Sequence, residues 1–264
     1  MDPALRTAAT GMRAQQTRTE VIANNLANVN TTGFKRSRAH FEDLLYQTVQ
    51  GSAVVGQQDA QSTAAIQVGR GVRLSAVQRL QTQGNLEQTN RSLDVAIEGE
   101  GFFQVQTGNG DVAYTRDGSF EISDQRVLVT QEGYTLVPGI KIPEDATAVT
   151  ISQTGVVSCT RGSAANGESV EIGRIELARF ANPGGLLADG QNLYTATSAS
   201  GDPVLGFPQD DGMGRLVQGH LESSNVEIVQ EMVDMITAMR AYEINSKAIK
   251  NSEEMLEIAN NLVR

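Results

Sequence analysis

The most regular pattern in the chain lies at its end. From Val226 onward, Ile228, Met235, Tyr242, Ile249, Leu256 and Val263 recur at an unbroken seven-residue step, and Met232 and Met239 stand four residues after the first two. Apolar residues in such a step, with companions three or four positions on, mark a coiled-coil seam. The later companion positions hold Ser246, Glu253 and Asn260, polar choices that weaken an isolated pair but can set register or meet a second partner. At the other end, Leu5, Met12, Ile22, Leu26 and Val29 predict a shorter helix with Ala8 and Ala9 on its narrow face. Asp2 ahead of Pro3 supplies an N-cap acceptor before a residue with no N–H to satisfy. Gly33, after Asn30, Thr31 and Thr32, is the expected stop. Ser224 and Glu227 have the spacing of a capping box and place the start of the C-terminal helix there. At 1.5 Å per residue the two helices are roughly 40 Å and roughly 55 Å long, so the second overhangs the first.

Between the helices the period drops to two. Alternating or short apolar runs predict strands at 93–98, 101–107, 112–116, 119–123, 126–130, 134–138, 148–152, 155–160, 169–180 and 192–196. Asn109-Gly110, Asp117-Gly118, Glu132-Gly133 and Asn182-Pro183-Gly184-Gly185 punctuate them. The stretch from Gly51 to Val68 is rich in Gln, Ala, Ser and Gly without a period and reads as extended or flexible. A second polar, Gly-rich stretch from Ser198 to Gly214 leads back to the C-terminal helix. The fold class expected is α+β: N- and C-terminal helices paired as a coiled coil, an extended linker region and an all-β middle domain. The corresponding division is residues 1–35 with 224–264, 36–95 with 205–223, and 96–204.

Charge supports the pairing of the ends. Residues 1–40 carry six basic side chains against Asp2 and Glu20, a net +4, while residues 221–264 carry eight acidic against four basic, a net −4. Exposed pairs contribute only about 0–1 kcal/mol each, so they orient more than they stabilise. The 264 residues hold 26 glycines, no tryptophan and 5% aromatics, which fits a turn-rich β region. A net charge of −10 argues against nucleic acid or an anionic membrane surface as partner. No run of about 18 apolar residues predicts membrane insertion. Arg6, Thr10, Arg13 and Gln15 interrupt any signal-peptide core in the first residues. Cys159 is alone, which rules out an intramolecular disulfide and a thiolate cage.

Candidate chemistry is sparse. His40 and His220 sit in neither zinc-ligand nor nucleophile–base spacing. Asp210-Asp211-Gly212 lacks the alternating ligands and closing glutamate of a calcium loop. Gly99-Glu100-Gly101 and Gly69-Arg70-Gly71 do not continue into a phosphate-binding loop and read as tight turns. Asn30-Thr31-Thr32 and Asn90-Arg91-Ser92 fit a glycosylation pattern that is common by chance. The carboxylates of the β region form no acid/base spacing, so no catalytic, cofactor-binding or metal residue is assigned. A secreted β-rich enzyme or adhesin is the rival from a different class.

Three runs carry a resemblance. Ala23-Asn24-Asn25-Leu26-Ala27-Asn28-Val29-Asn30-Thr31-Thr32-Gly33-Phe34-Lys35-Arg36 closely resembles the N-terminal motif of bacterial flagellar rod and hook proteins. Glu98-Gly99-Glu100-Gly101-Phe102-Phe103-Gln104-Val105 and Tyr114-Thr115-Arg116-Asp117-Gly118-Ser119-Phe120 are similar to the β-domain motif of that family. Ser223-Ser224-Asn225-Val226, with Arg240-Ala241-Tyr242-Glu243-Ile244-Asn245-Ser246-Lys247, resembles its C-terminal motif. The length and the insertion after Phe41-Glu42-Asp43-Leu44-Leu45-Tyr46-Gln47 resemble the distal-rod type most. A proximal-rod type with the same β domain, and the hook protein, are the alternatives.

The resemblance implies a structural, non-enzymatic subunit of a helical homopolymer. Terminal helices would form the inner layer of a tube and the β domain the outer layer. Such a tube transmits torque and gives passage to exported subunits. The implied partners are further copies of the chain, proximal rod proteins, hook or hook-junction proteins, the surrounding P- and L-ring proteins and the flagellar type III export apparatus. The implied location is the rod of the basal body, across the periplasm, reached without a cleavable signal peptide. By motif match, Asn24, Asn25, Leu26, Asn28, Gly33 and Phe34 shape the end of the inner helix. Ile228, Met232, Met235, Met239, Tyr242, Asn245, Ser246, Ile249 and Leu256 belong to helix packing within or between subunits. The insertion from Tyr46 to about Val72, including Val54-Val55-Gly56 and Gln57-Gln58, is linked in that family to a straight, stiff rod.

Overall fold

The computed structural model describes residues 3–50, 53–55, 61–63, 65–161, 168–210 and 212–262. Asp2, Gly51, Gly56, Gln57, Gln58, Asp211 and Val263, named above, lie outside them. The chain forms two compact units, each discontinuous in sequence. The first gathers residues 1–26, 37–78 and 227–264, and the second residues 27–36 and 79–226.

The first unit contains helix α1 (Pro3–Ala27) and helix α2 (Ile228–Leu262). Their side chains meet in antiparallel order: Arg18 Nη2 lies 3.0 Å from Asp234 Oδ1, and Asn25 Nδ2 donates to Glu231 Oε2 at 3.2 Å. A Cβ added at Gly11 would lie 2.9 Å from Asn245 Nδ2, so the helices approach closely there. Helix α1 ends six residues before the expected stop at Gly33, and Val29 lies past its end. Asn28, Asn30, Thr31 and Thr32 offer side-chain partners that compete with the helical backbone. Thr31 Oγ1 bonds Asn28 Oδ1 and Thr31 N bonds Asn28 O, both at 3.2 Å, which turns the chain instead.

The capping box is likewise corrected. Helix α2 starts at Ile228, with Glu231 N donating to Glu227 O at 3.0 Å. Ser224 Oγ accepts from Val226 N at 3.3 Å and so makes a local turn ahead of the helix.

The period-two reading missed the strands of this unit. Ser37–Asp43 pairs with Val72–Arg79, and Gln47–Gln50 pairs antiparallel with Ile66–Val68. Ala53–Val55 pairs antiparallel with Gln61–Thr63, so parts of the stretch read as extended or flexible are laddered strands. Two-stranded pairs with exposed faces need no alternation of apolar residues, which is why pattern alone overlooked them.

The second unit is built on a nine-stranded sheet. Its path runs Phe120–Ile122, Leu128–Thr130, Thr135–Leu136, Phe102–Gln106, Val112–Thr115, Leu193–Thr195, Leu187–Gly190. Leu177–Arg179 pairs with both Phe102–Gln106 and Val204–Gly206, so the polar 198–214 stretch contributes a strand. Ala146–Ile151, Val156–Arg161 and Glu168–Arg174 form a separate antiparallel meander. The predicted 169–180 strand breaks in two at Ile175-Glu176. Val95, Ile97, Phe103, Val105, Leu128, Leu136, Ile175 and Leu177, all fully buried, form the main core. Phe102, Tyr114, Phe180 and Tyr194 make a second cluster with edge-to-face rings 4.8–5.8 Å apart, geometry that aromatic quadrupoles favour.

Candidate functional site

The second unit buries a carboxylate between two cations. Glu222 is 0% exposed, and its Oε1 lies 2.6 Å from Lys35 Nζ. Its Oε2 lies 3.5 Å from Nη1 of Arg116. Lys35 and Arg116 are themselves only 1% and 5% exposed. Isolated charges are excluded from such surroundings unless each is paired and hydrogen-bonded. The remaining groups supply that. Lys35 Nζ donates to Thr82 O at 2.8 Å, Gly84 N donates to Glu222 Oε1 at 2.8 Å, and Arg116 Nη2 donates to Gly99 O at 2.8 Å. The guanidinium also sits 5.2 Å above the Phe102 ring, a favourable cation–π placement.

Each charge arrives on a different motif. Lys35 follows Gly33-Phe34, Arg116 sits in the turn after strand Val112–Thr115, and Glu222 ends strand His220–Glu222 just before Ser223-Ser224-Asn225. Backbone contacts fix the approach. Gly33 N donates to Glu222 O at 2.8 Å with φ +68°, and a Cβ there would meet Asp117 N at 2.9 Å and the Arg116 carbonyl carbon at 3.0 Å. Glycine is therefore required on two grounds, conformation and space. Gly118 is as constrained, since a Cβ would fall 1.7 Å from Val95 O. Asn225 completes the junction: its Oδ1 accepts from Arg36 N at 2.7 Å, and its Nδ2 donates to Leu80 O at 2.9 Å and Thr82 O at 3.0 Å.

Electrostatics follow from burial. Desolvation pushes the Lys35 ammonium below its ordinary value, with Glu222 opposing the shift and Arg116 adding to it. The Arg116 guanidinium is lowered by burial too, again opposed by Glu222. Asp117 is raised, first by burial, against two hydrogen bonds from Ser119.

In the first unit, Asn25 (1% exposed) plays the corresponding role. Its Nδ2 donates to Ser37 O and its Oδ1 accepts from Ser37 N, both at 2.9 Å, while the same Nδ2 reaches the buried Glu231. Of the other residues predicted at the end of α1, Gly33 is buried, Leu26, Asn28 and Phe34 are half-buried, and Asn24 is exposed.

Along α2 the seven-residue series and its expected companions are only partly covered. The positions four residues on, Met232 and Met239, are 52% and 49% exposed. Burial falls three residues on, at Glu231, Ala238 and Ser252, with Asn245 half-buried in the same row. The physical reason is the neighbour: Asn25 and Gly11 of α1 accept a carboxylate and an amide, where large apolar side chains would not fit. Of the series itself, Met235 and Ile249 are half-buried, as is Ser246, whereas Ile228, Tyr242 and Leu256 are 44–47% exposed.

Lys35, Arg116, Glu222 and Asn225 were not singled out as site residues by sequence. Lys35, Arg116 and Asn225 stood inside the quoted motifs, but opposite charges separated by 187 and 106 positions give no local signal of pairing. His40 is exposed on a strand, and His220 places Nδ1 3.0 Å from Gln218 O. Among the described residues no three His, Cys, Asp or Glu side chains stand together as metal ligands. No described helix is long and apolar enough to cross a membrane.

The three segments that meet at the junction are also those that known families share. Residues 5–35 match the flagella basal body rod protein family. Residues 96–159 match the flagellar hook protein FlgE/F/G D1 domain, and residues 217–262 the flagellar basal body rod FlgEFG protein C-terminal family. Across the whole length, the chain is 51% identical over 263 residues to the flagellar basal-body rod protein FlgG of Borreliella burgdorferi, covering 99% of this chain and 98% of that one. The chain belongs to the FlgG family of flagellar basal-body rod proteins. FlgG of Agrobacterium fabrum is 48% identical over 97% of both chains, and FlgG of Bacillus subtilis 39% over 96% of both. A more distant relative, the flagellar hook-basal body complex protein FlhP of Bacillus subtilis, is 28% identical over 97% of both chains. As a FlgG-family member the chain is a structural subunit of the flagellar rod and not an enzyme.

Proposed function

We propose that the chain polymerises through its helical ends into the distal rod, a tubular drive shaft that carries torque from motor to hook and gives passage to exported subunits. The observation that carries this reading is the division of α2 into two unlike faces. The face towards α1 is small or polar, while Val229, Met232, Val233, Ile236 and Met239 are 49–70% exposed on the rest of the helix. An apolar stripe of this extent marks an interaction surface, and a heterologous contact between identical copies that does not close produces a helical assembly.

In this reading α1 and α2 pair as an antiparallel coiled coil in the inner layer (1–35 with 224–264). Residues 36–95 with 205–223 connect it to the outer β domain, 96–204. Asn24, Leu26, Asn28 and Phe34 shape the exit from the inner helix. Asn245, Ser246 and Ile249 pack within the subunit, and Ile228, Met232, Met239, Tyr242 and Leu256 face neighbouring copies. Proximal rod proteins, hook or hook-junction proteins and the P and L rings are the other contacts. The type III apparatus delivers the subunit to the periplasmic span of the basal body.

Electron cryotomography of the flagellar base tests the assignment in cells lacking this gene and in complemented cells. A rod that stops short and carries no hook, restored by complementation, is the expected result. A complete rod and hook in the deletion strain would overturn it.

A further inference from the structure

The register of the two helices leaves one end of α2 without a counterpart. Asn25 meets Glu231 and Gly11 meets Asn245, so a step of fourteen residues on α1 matches fourteen on α2. Continued, that register sets Pro3 opposite Glu253, and residues 254–262 of α2 run past the start of the described α1 by about 13 Å. This overhang presents Met255 and Ile258, 64% and 60% exposed, each directly after a glutamate, Glu254 and Glu257, neither of which makes an ion pair among the described residues.

The same unit carries a groove of about 350 Å³ beside the middle of α1, lined by Thr10, Arg13, Ala14, Leu44, Val72 and Arg73 among others. Its character complements the overhang: apolar walls from Leu44, Val72 and Ala14, with two guanidiniums at the rim. Arg73 is paired with Glu42, whereas Arg13 is exposed and makes no ion pair among the described residues.

We infer that the overhang of α2, residues 254–262, seats on the Arg13 groove of a second copy, Met255 and Ile258 entering between Leu44 and Val72 while Glu254 and Glu257 meet Arg13. The occupant cannot be the chain's own overhang. Arg13 stands opposite Glu243 in the register, and Met255 lies twelve residues, about 18 Å, further along α2. A contact joining two different patches of identical chains is heterologous and propagates without closing. The inference rests on the rod-subunit reading and specifies two of the surfaces that reading requires.

The test is disulfide trapping in assembled rods. Full-length chain with Cys159→Ala, Arg13→Cys and Met255→Cys is expressed in deletion cells, hook-basal bodies are isolated after mild oxidation, and non-reducing gels are read. A disulfide needs Cα atoms within about 7 Å, so the two positions cannot bridge inside one chain. A ladder of dimers and higher species in the double variant, absent from each single-cysteine variant, is expected. Rods that assemble but give no ladder would overturn the contact and leave the rod reading intact. Absence of any role in rod assembly for the parent chain would overturn both. A charge exchange gives an independent reading: Arg13→Glu lowers the number of assembled rods several-fold, and adding Glu254→Arg and Glu257→Arg restores it. Assembly of the Arg13→Glu variant at the parental level would also refute the contact.

Discussion

Replacing Glu222 by Gln removes one charge from the buried junction while keeping its shape and an acceptor for Gly84 N. Lys35 then retains Thr82 O as its partner, and Arg116 retains Gly99 O and Ile97 O. Two cations, 1% and 5% exposed, are left without an anion. Breaking a buried pair by removing one partner costs about 3–5 kcal/mol, because the surviving charge stays desolvated. Glu222→Gln should therefore lower the stability of the second unit by about 3 kcal/mol or more. The chain has no tryptophan, so urea unfolding is followed by near-ultraviolet circular dichroism, to which Tyr114, Tyr134 and Tyr194 of this unit contribute.

The pH dependence supplies an internal check. Burial holds the Lys35 ammonium below its unfolded value of 10.5. The unfolded chain binds the proton that the folded chain has given up, so stability rises with pH across the window between the two values. Removing Glu222 takes away the interaction that raises Lys35, which widens that window downward in pH. The double variant Lys35→Met/Glu222→Leu should lose less than the sum of the single changes, since Arg116 alone, and not both cations, is then left without an anion. A loss below about 1 kcal/mol for Glu222→Gln, with an unchanged pH profile, would refute the account of a tightly coupled buried triad.

Gly33→Ala forces a Cβ against the Asp117 amide at a φ of +68° and should destabilise the second unit by about 1–3 kcal/mol, read from its urea midpoint. Asn25→Ala removes both bonds to Ser37 and one to Glu231. It should cost the first unit about 1–3 kcal/mol, with faster hydrogen exchange at the Ser37 amide. In soluble monomer, limited trypsin should cut at Arg13, Arg18 and Lys247 well before the β core, because the exposed apolar face of α2 is uncovered until subunits dock. Equal resistance of helices and core would contradict it.

Periodicity revealed what periodicity can encode. Both terminal helices are present, and the strands expected from 93–98 to 192–196 lie within a few residues of where alternation put them, except that 169–180 breaks into two. Boundaries failed where side chains compete with backbone: Asn28 and Thr31 end α1 early, and Ser224 makes a turn where a cap was expected. The companion row of α2 was misread because a hydrophobic template looks for Met232 and Met239. The structure instead buries Glu231 against Asn25, a pairing only the partner helix can announce. Lys35, Arg116 and Glu222 escaped notice for the same reason. The motifs that hold Lys35 and Arg116 were visible, with Glu222 just outside one, but the meeting of the three depends on topology and not on spacing.

That topology sets an order of events for the growing chain. Lys35 and Arg116 are made long before Glu222, 187 and 106 positions ahead of it. Asn25 waits 206 positions for Glu231. A chain synthesised as far as the end of its large sheet thus carries two cations destined for the interior and nothing to neutralise them there. Closing the interior before Glu222 arrives would leave both charges desolvated and alone. Contacts of such sequence separation also form late and slowly. The junction acts as a latch: it can close only once the chain has been made past Glu222, and any truncation upstream of Glu222 leaves it open.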